Sequence, residues 1–147
     1  MSKVTIIAFA LLILALGSLN MTFKQEPVII ISQSVIDNLN TAYEDSRTEF
    51  VYCLQGSRNN QEYKIESYYE PKVINASENE VISARCGYNT LGTIHPHFNS
   101  DYCRLSNTDS YTFGSTQLPL TGVMCGKDKF VFFTPNDLEK PVEVLYE

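Results

Sequence analysis

The chain has no tryptophan and only two histidines among its 147 residues. Aromatic bulk for a core must come from its nine tyrosines and eight phenylalanines. Any imidazole-based site has to be built from His95 and His97, because there is no third candidate. Basic clusters are missing as well. The formal charge is −6, and no stripe of Lys or Arg marks an electrostatic footprint for phosphates, so nucleic acid is not expected as a partner. Internal repeats and low-complexity tracts are absent. None of the four cysteines sits in a Cys-x-x-Cys pair, which argues against a cysteine-rich zinc ribbon. Cys53, Cys86, Cys103 and Cys125 are an even set: either two disulfides with three possible pairings, or small buried hydrophobes.

Length fits one domain and is short for two. The hydrophobic share, 44%, is ordinary for a globular protein. It is unevenly spread, because Val4 to Leu19 runs sixteen residues without a charge. A cleaved signal has an apolar centre of about 7–15 residues, and a bilayer span needs roughly 17 or more. The stretch falls between them. We expect residues 1–27 to form an N-terminal hydrophobic helix and linker. It would make a single-pass membrane anchor, or a signal whose cleavage releases a secreted domain. A buried core helix is the alternative. The α-amino group and Lys3, set against Lys24, favour an external domain by a small margin. The sequons at Asn20 and Asn75 agree with that placement.

Residues 28–147 read as one α/β domain, a mixed β-sheet flanked by helices. Val28 to Ile31 is a short β-branched run. Ser34 to Asp45 places Val35, Ile36, Leu39, Ala42 and Tyr43 on one helical stripe, with Ser32 or Ser34 at its start. Glu49 to Gln55 is apolar on both faces, as in a strand covered on both sides, and stops at Gly56. Ser57 to Asn60 is a turn and Gln61 to Tyr69 a hairpin partner. Pro71 to Glu80 reads as an irregular connection. Further strands are expected at Val81 to Cys86, Thr90 to His95, Leu120 to Cys125, Lys129 to Thr134 and Val142 to Tyr146. A short helix is expected from Ser106 to about Phe113, with Ser106 as its N-cap.

Chemistry concentrates at Thr93-Ile94-His95-Pro96-His97-Phe98. Side chains of an extended segment alternate faces, so His95 and His97 point the same way. Pro96 lacks a donor and marks the end or edge of its strand. Two neutral imidazoles with the carboxylate of Asp109 form a three-ligand set for Zn²⁺, leaving the fourth tetrahedral position for water. Such a water needs a base. Glu49 opens an otherwise apolar strand, where an unpaired charge is costly, so it has either a partner or a task. Taken singly, each residue has a plainer role. Asp109 and Ser106 suit a helix start, Glu49 suits a strand end, and a lone histidine is usually structural.

In this order the elements resemble the JAMM (MPN+) metalloprotease family in its compact archaeal and bacterial form. Glu49-Phe50-Val51-Tyr52-Cys53-Leu54-Gln55-Gly56 is similar to the family's Glu-x-x-x-x-Leu-x-Gly strand. Leu91-Gly92-Thr93-Ile94-His95-Pro96-His97 is similar to its run into His-x-His. Ser106-Asn107-Thr108-Asp109 is similar to its Ser-x-x-Asp. Phe98 replaces the family's proline after the second histidine, and eleven residues rather than ten separate His97 from Asp109. The resemblance covers about residues 28–147 and implies the JAMM/MPN, cytidine-deaminase-like fold. It implies a zinc-dependent isopeptidase or peptidase with a protein or peptide substrate, typically at the C-terminal tail of a ubiquitin-like modifier. His95, His97 and Asp109 would bind zinc. Glu49 would act as base, and Ser106 would stabilise the oxyanion. The competing readings are an inactive MPN-type scaffold, an exported disulfide-stabilised binding domain, and a zinc hydrolase of another peptide or peptidoglycan amide.

Overall fold

A computed structural model of the chain describes residues 25–98 and 103–147. Among these residues the order of elements begins with β1 (Val28–Ile31), α1 (Gln33–Asp45), β2 (Tyr52–Asn59) and β3 (Glu62–Tyr69). Then come β4 (Val73–Ala76), β5 (Val81–Ser83), β6 (Thr90–Pro96) and α2 (Asn107–Gly114). The chain ends with β7 (Leu120–Gly126), β8 (Lys129–Thr134) and β9 (Asp137–Tyr146).

Seven strands form one mixed sheet in the order β1-β3-β2-β6-β7-β8-β9, and β9 pairs with β1 in parallel to close it into a barrel. The remaining two, β4 and β5, form a separate antiparallel pair. The expected mixed sheet with helices is therefore present, and its closure is an addition. Two tight hairpins set the antiparallel register. Asn60 turns β2 into β3 at φ 54°, and Asp128 turns β7 into β8 at φ 55°. Both are residue types that accept the left-handed region more readily than most.

Several strand boundaries differ from expectation, among them β5, which ends at Ser83 rather than Cys86. β2 does not stop at Gly56 but runs on to Asn59, because a bulge between Gln55 and Gly56 absorbs the irregularity. Gly56 itself sits at φ 157°, and a Cβ there would collide with the Lys64 carbonyl of the paired strand. Within the expected irregular stretch, Val73–Ala76 pairs with β5 as an all-exposed strand with no alternation to betray it. β9 begins at Asp137, ahead of Pro141, rather than at Val142.

α1 covers the barrel with the expected stripe. Val35, Ile36 and Leu39 are buried against Ile29, Ile31, Leu54 and Ile65, with Ala42 and Tyr43 partly buried beside them. Each fully buried aliphatic side chain contributes about 1.5–3 kcal/mol. The helix is also clamped at Asn40, which is buried. Its side-chain nitrogen donates to Asp128 Oδ1 at 2.7 Å, and its oxygen accepts from the Asp128 N–H at 2.9 Å. Two disulfides, Cys53–Cys86 and Cys103–Cys125, span 33 and 22 residues. In the chain-entropy account each is worth about 3–4 kcal/mol.

The localisation expected from Val4–Leu19 is corrected. Among the described residues no helix is long and apolar enough to cross a membrane. α1, with thirteen residues, extends only about 20 Å at 1.5 Å per residue, short of a hydrocarbon core about 30 Å thick. The expected N-terminal helix falls on residues 1–24, outside the described residues.

Candidate metal centre

β6 and β7 are parallel neighbours, with His95 opposite Val123 and Pro96 opposite Met124. Parallel neighbours need a crossover connection, and α2 lies in it. The crossover leaves the carboxyl end of β6, so the first turn of α2 comes back beside that end. His95 and His97 sit at this end of β6, and Asp109 sits in that first turn. The juxtaposition is thus a product of topology.

β6 is buried almost throughout, which fixes its register and the face its side chains share. His95 is buried, and His97, one residue past the strand, is held by its backbone N–H donating to the Met124 carbonyl at 2.8 Å. Their two Nε2 atoms lie 3.1 Å apart. Asp109 meets both imidazoles: Oδ1 is 3.3 Å from His95 Nε2, and Oδ2 is 3.2 Å from His97 Nε2. A capping box aims the carboxylate. Asp109 Oδ2 accepts from the Ser106 N–H at 2.8 Å, while Ser106 Oγ accepts from the Asp109 N–H at 3.1 Å. Ser106 is therefore the N-cap read from the sequence, and its hydroxyl proton remains a donor.

Each carboxylate responds to this setting. Burial opposes ionisation of Asp109, but hydrogen bonds from His95, His97 and Ser106 and the charge of His95 outweigh it. The carboxyl is held well below the usual range. Glu49 is pushed the other way, with burial the main cause. The charges of His95 and His97 pull its pKa down, and those of Asp109 and Glu80 push it up. Its carboxylate is thus within electrostatic reach of all three members of the cluster. Glu49 stands three residues ahead of β2 rather than opening it, with its N–H donating to the Ser77 carbonyl at 2.7 Å. Ser77 follows β4 directly, so the small two-stranded sheet holds the Glu49 backbone. No local pattern signals that role, because only a backbone carbonyl takes part. Glu49 also lines a groove of about 390 Å³ with Phe50, Tyr52, Glu70, Val73 and Ala76.

The donor set fits a metal ion. His95, His97 and Asp109 offer ligand atoms that all lie within 4.8 Å of one another. Tetrahedral zinc with bonds of about 2.0–2.1 Å keeps its ligand atoms about 3.3 Å apart. The Nε2–Nε2 separation of 3.1 Å is close to that edge, and each imidazole has a different Asp109 oxygen beside it, Oδ1 at 3.3 Å from His95 and Oδ2 at 3.2 Å from His97. A neutral imidazole carries one N–H, so two facing Nε2 atoms cannot both donate to Asp109 and also bond each other.

No protein-family model matches the sequence, and no curated protein matches it. Solved structures do resemble the fold. A JAB1/MPN domain protein from Archaeoglobus fulgidus superposes with a TM-score of 0.51 at 19% identity, over 80% of this chain and 98% of that one. A protein from Desulfitobacterium hafniense, solved in solution, superposes with a TM-score of 0.59 at 13% identity, over 81% and 92%. A structure described as JAMM, a metalloprotease-like zinc site in the proteasome and signalosome, reaches a TM-score of 0.47, too low to add to the assignment. Those two superpositions, at 19% and 13% identity, carry the fold alone: this chain has the JAB1/MPN fold.

Proposed function

We propose that the chain is a JAMM-type zinc metallopeptidase that hydrolyses an amide bond in a protein or peptide. The tail of a ubiquitin-like modifier is the leading substrate. One observation carries the reading: two imidazole nitrogens and a carboxylate converge, with one ligand atom from each within 4.8 Å of the others. His95 Nε2, His97 Nε2 and one Asp109 oxygen would hold the ion.

Bound zinc supplies Lewis acidity, polarising a carbonyl and bringing the pKa of a water from 15.7 to about 7. The residues around it provide the proton handling. Glu49 is the base, taking a proton from the attacking water on its carboxylate and delivering it to the departing amine nitrogen. Burial raises its pKa, which brings a carboxylate closer to the range where one group both accepts and releases a proton near neutrality. Ser106 Oγ accepts from Asp109 N–H, and its own proton would be offered to negative charge developing on the substrate oxygen.

Zinc-loaded protein is assayed on peptide amides and on a ubiquitin-like fusion with a C-terminal extension, beside the Glu49→Gln variant. We expect the variant to keep zinc and to lose roughly 10²–10⁴-fold in turnover. Full turnover by Glu49→Gln would end the mechanism. Zinc binding with no hydrolysis of any substrate would instead support the scaffold reading.

A further inference from the structure

Of the three metal-binding candidates, His95 and His97 sit two residues apart at the carboxyl end of β6. Asp109 is different, since eleven residues separate it from His97. Its segment reaches the barrel through Cys103, which is bonded to Cys125 on β7. Cys125 directly follows Met124, whose carbonyl holds the His97 N–H at 2.8 Å. The disulfide therefore lands beside the backbone that positions the second imidazole. Two residues on from Cys103, Leu105 is buried against Val123 and Phe133, with Cys125 packed beside them. Ser106 then starts the capping box that aims the Asp109 carboxylate. Measured from the Cys125 anchor, only five residues remain between Cys103 and Asp109.

We propose that the Cys103–Cys125 disulfide is a positioning element of the metal centre, fastening the Asp109 segment to the strand end that carries the histidines. This rests on the metal reading above and goes beyond it, because neither cysteine is a ligand. The other disulfide makes the natural comparison. Cys53–Cys86 joins β2 to the segment after β5, and neither of its cysteines lies on the Asp109 arm or on β7. A cross-link that merely stabilised the fold would leave zinc affinity alone, and the two disulfides would then be alike in this respect.

The connection to Asp109 lengthens from five to eleven residues when the bond is cut. By the −3/2 power of loop length this lowers the local concentration of the carboxylate about threefold. Loss of its orientation adds to that, and removing supports of metal ligands typically weakens binding 10–100-fold. The expected effect is about a tenfold rise in the zinc dissociation constant.

The test measures zinc affinity of the purified chain by competition with a chromophoric chelator, alongside the urea midpoint. The variants are Cys103→Ser/Cys125→Ser, Cys53→Ser/Cys86→Ser and Asp109→Asn. Support is a roughly tenfold weakening in the first pair, less than twofold in the second, and near-complete loss in Asp109→Asn. Equal affinity in wild type and Cys103→Ser/Cys125→Ser overturns the proposal and leaves the metal site standing. No zinc binding by the wild type, unchanged in Asp109→Asn, overturns both. Should the first pair not fold, the bond is cut in folded Cys53→Ser/Cys86→Ser protein. A trialkylphosphine and water give two thiols and the phosphine oxide, and iodoacetamide then caps both sulfurs with loss of iodide. The same tenfold change is expected there, and its absence is equally decisive against the proposal.

Discussion

Gly92→Ala tests whether the approach of β6 to β7 sets up the metal centre. Gly92 pairs with Leu54 on one side and Leu120 on the other, inside a strand buried over nearly its whole length. An added Cβ would fall against the Leu120 carbonyl oxygen, 2.8 Å from its carbonyl carbon and 2.7 Å from its Cβ. These are backbone and near-backbone atoms of a fully buried residue, so no flexible side chain can swing aside. β6 and β7 must separate by a large fraction of an ångström. Overpacking costs about 1–3 kcal/mol, and the upper end is expected because the obstacle is main chain. In thermal unfolding that amounts to a fall of about 10 °C for a domain of this size. The same separation displaces His95 from its place opposite Val123 and loosens the His97 N–H to Met124 bond, so zinc affinity falls with stability. Gly114→Ala is the control. It lies at the end of α2 with nothing within 4 Å of an added Cβ, and alanine is better in a helix by up to about 1 kcal/mol. Urea unfolding and chelator competition on both variants give the answer. A Gly92→Ala protein as stable as wild type would refute the packing described for the β6–β7 pair.

Three further outcomes follow from the geometry. His97→Ala is expected to lower zinc content sharply, since it removes one of the three proposed ligands, and metal analysis showing full occupancy would mean the ligand set is wrong. Asn40→Ala leaves the Asp128 N–H without its partner and costs about 1–3 kcal/mol in urea unfolding; a loss below about 0.5 kcal/mol contradicts the clamp. In metal-free protein the depressed Asp109 carboxyl gives stability that is fully present above its ordinary pKa of 3.8 and lost as pH falls below it. Glu49 has the opposite sign. Its raised pKa favours folding below the ordinary value of 4.5, a contribution lost as pH rises through the folded value. Acid unfolding of Asp109→Asn should therefore start from a lower stability and fall less steeply below pH 3.8 than wild type. Matching acid limbs would count against the Asp109–imidazole contacts.

Much of the centre was legible because its signals are local. The spacing of His95 and His97 needs only the period of a strand, and Ser106-x-x-Asp109 is a helix-start pattern that the structure realises as a capping box. The stripe of α1 was equally direct, since Val35, Ile36 and Leu39 all bury. What stayed hidden depends on long-range pairing. Closure of the barrel joins β1 to β9 from opposite ends of the domain, and nothing in Val28–Ile31 or Asp137–Tyr146 specifies the partner. The cysteine count allowed three pairings, and only the fold selects between them. β4 is exposed at every position, so it lacks the alternation that marks a half-buried strand. Its effect on Glu49 passes through the backbone of Ser77, where side-chain identity carries no information.

The most direct test of the metal centre is X-ray absorption at the zinc edge on stoichiometrically loaded protein. One zinc per chain is expected, with two imidazole nitrogens and oxygen around it at about 2.0–2.2 Å, and loss of that ion in Asp109→Asn. A chain that takes up no zinc, or a zinc ion with sulfur bound to it, would contradict this expectation.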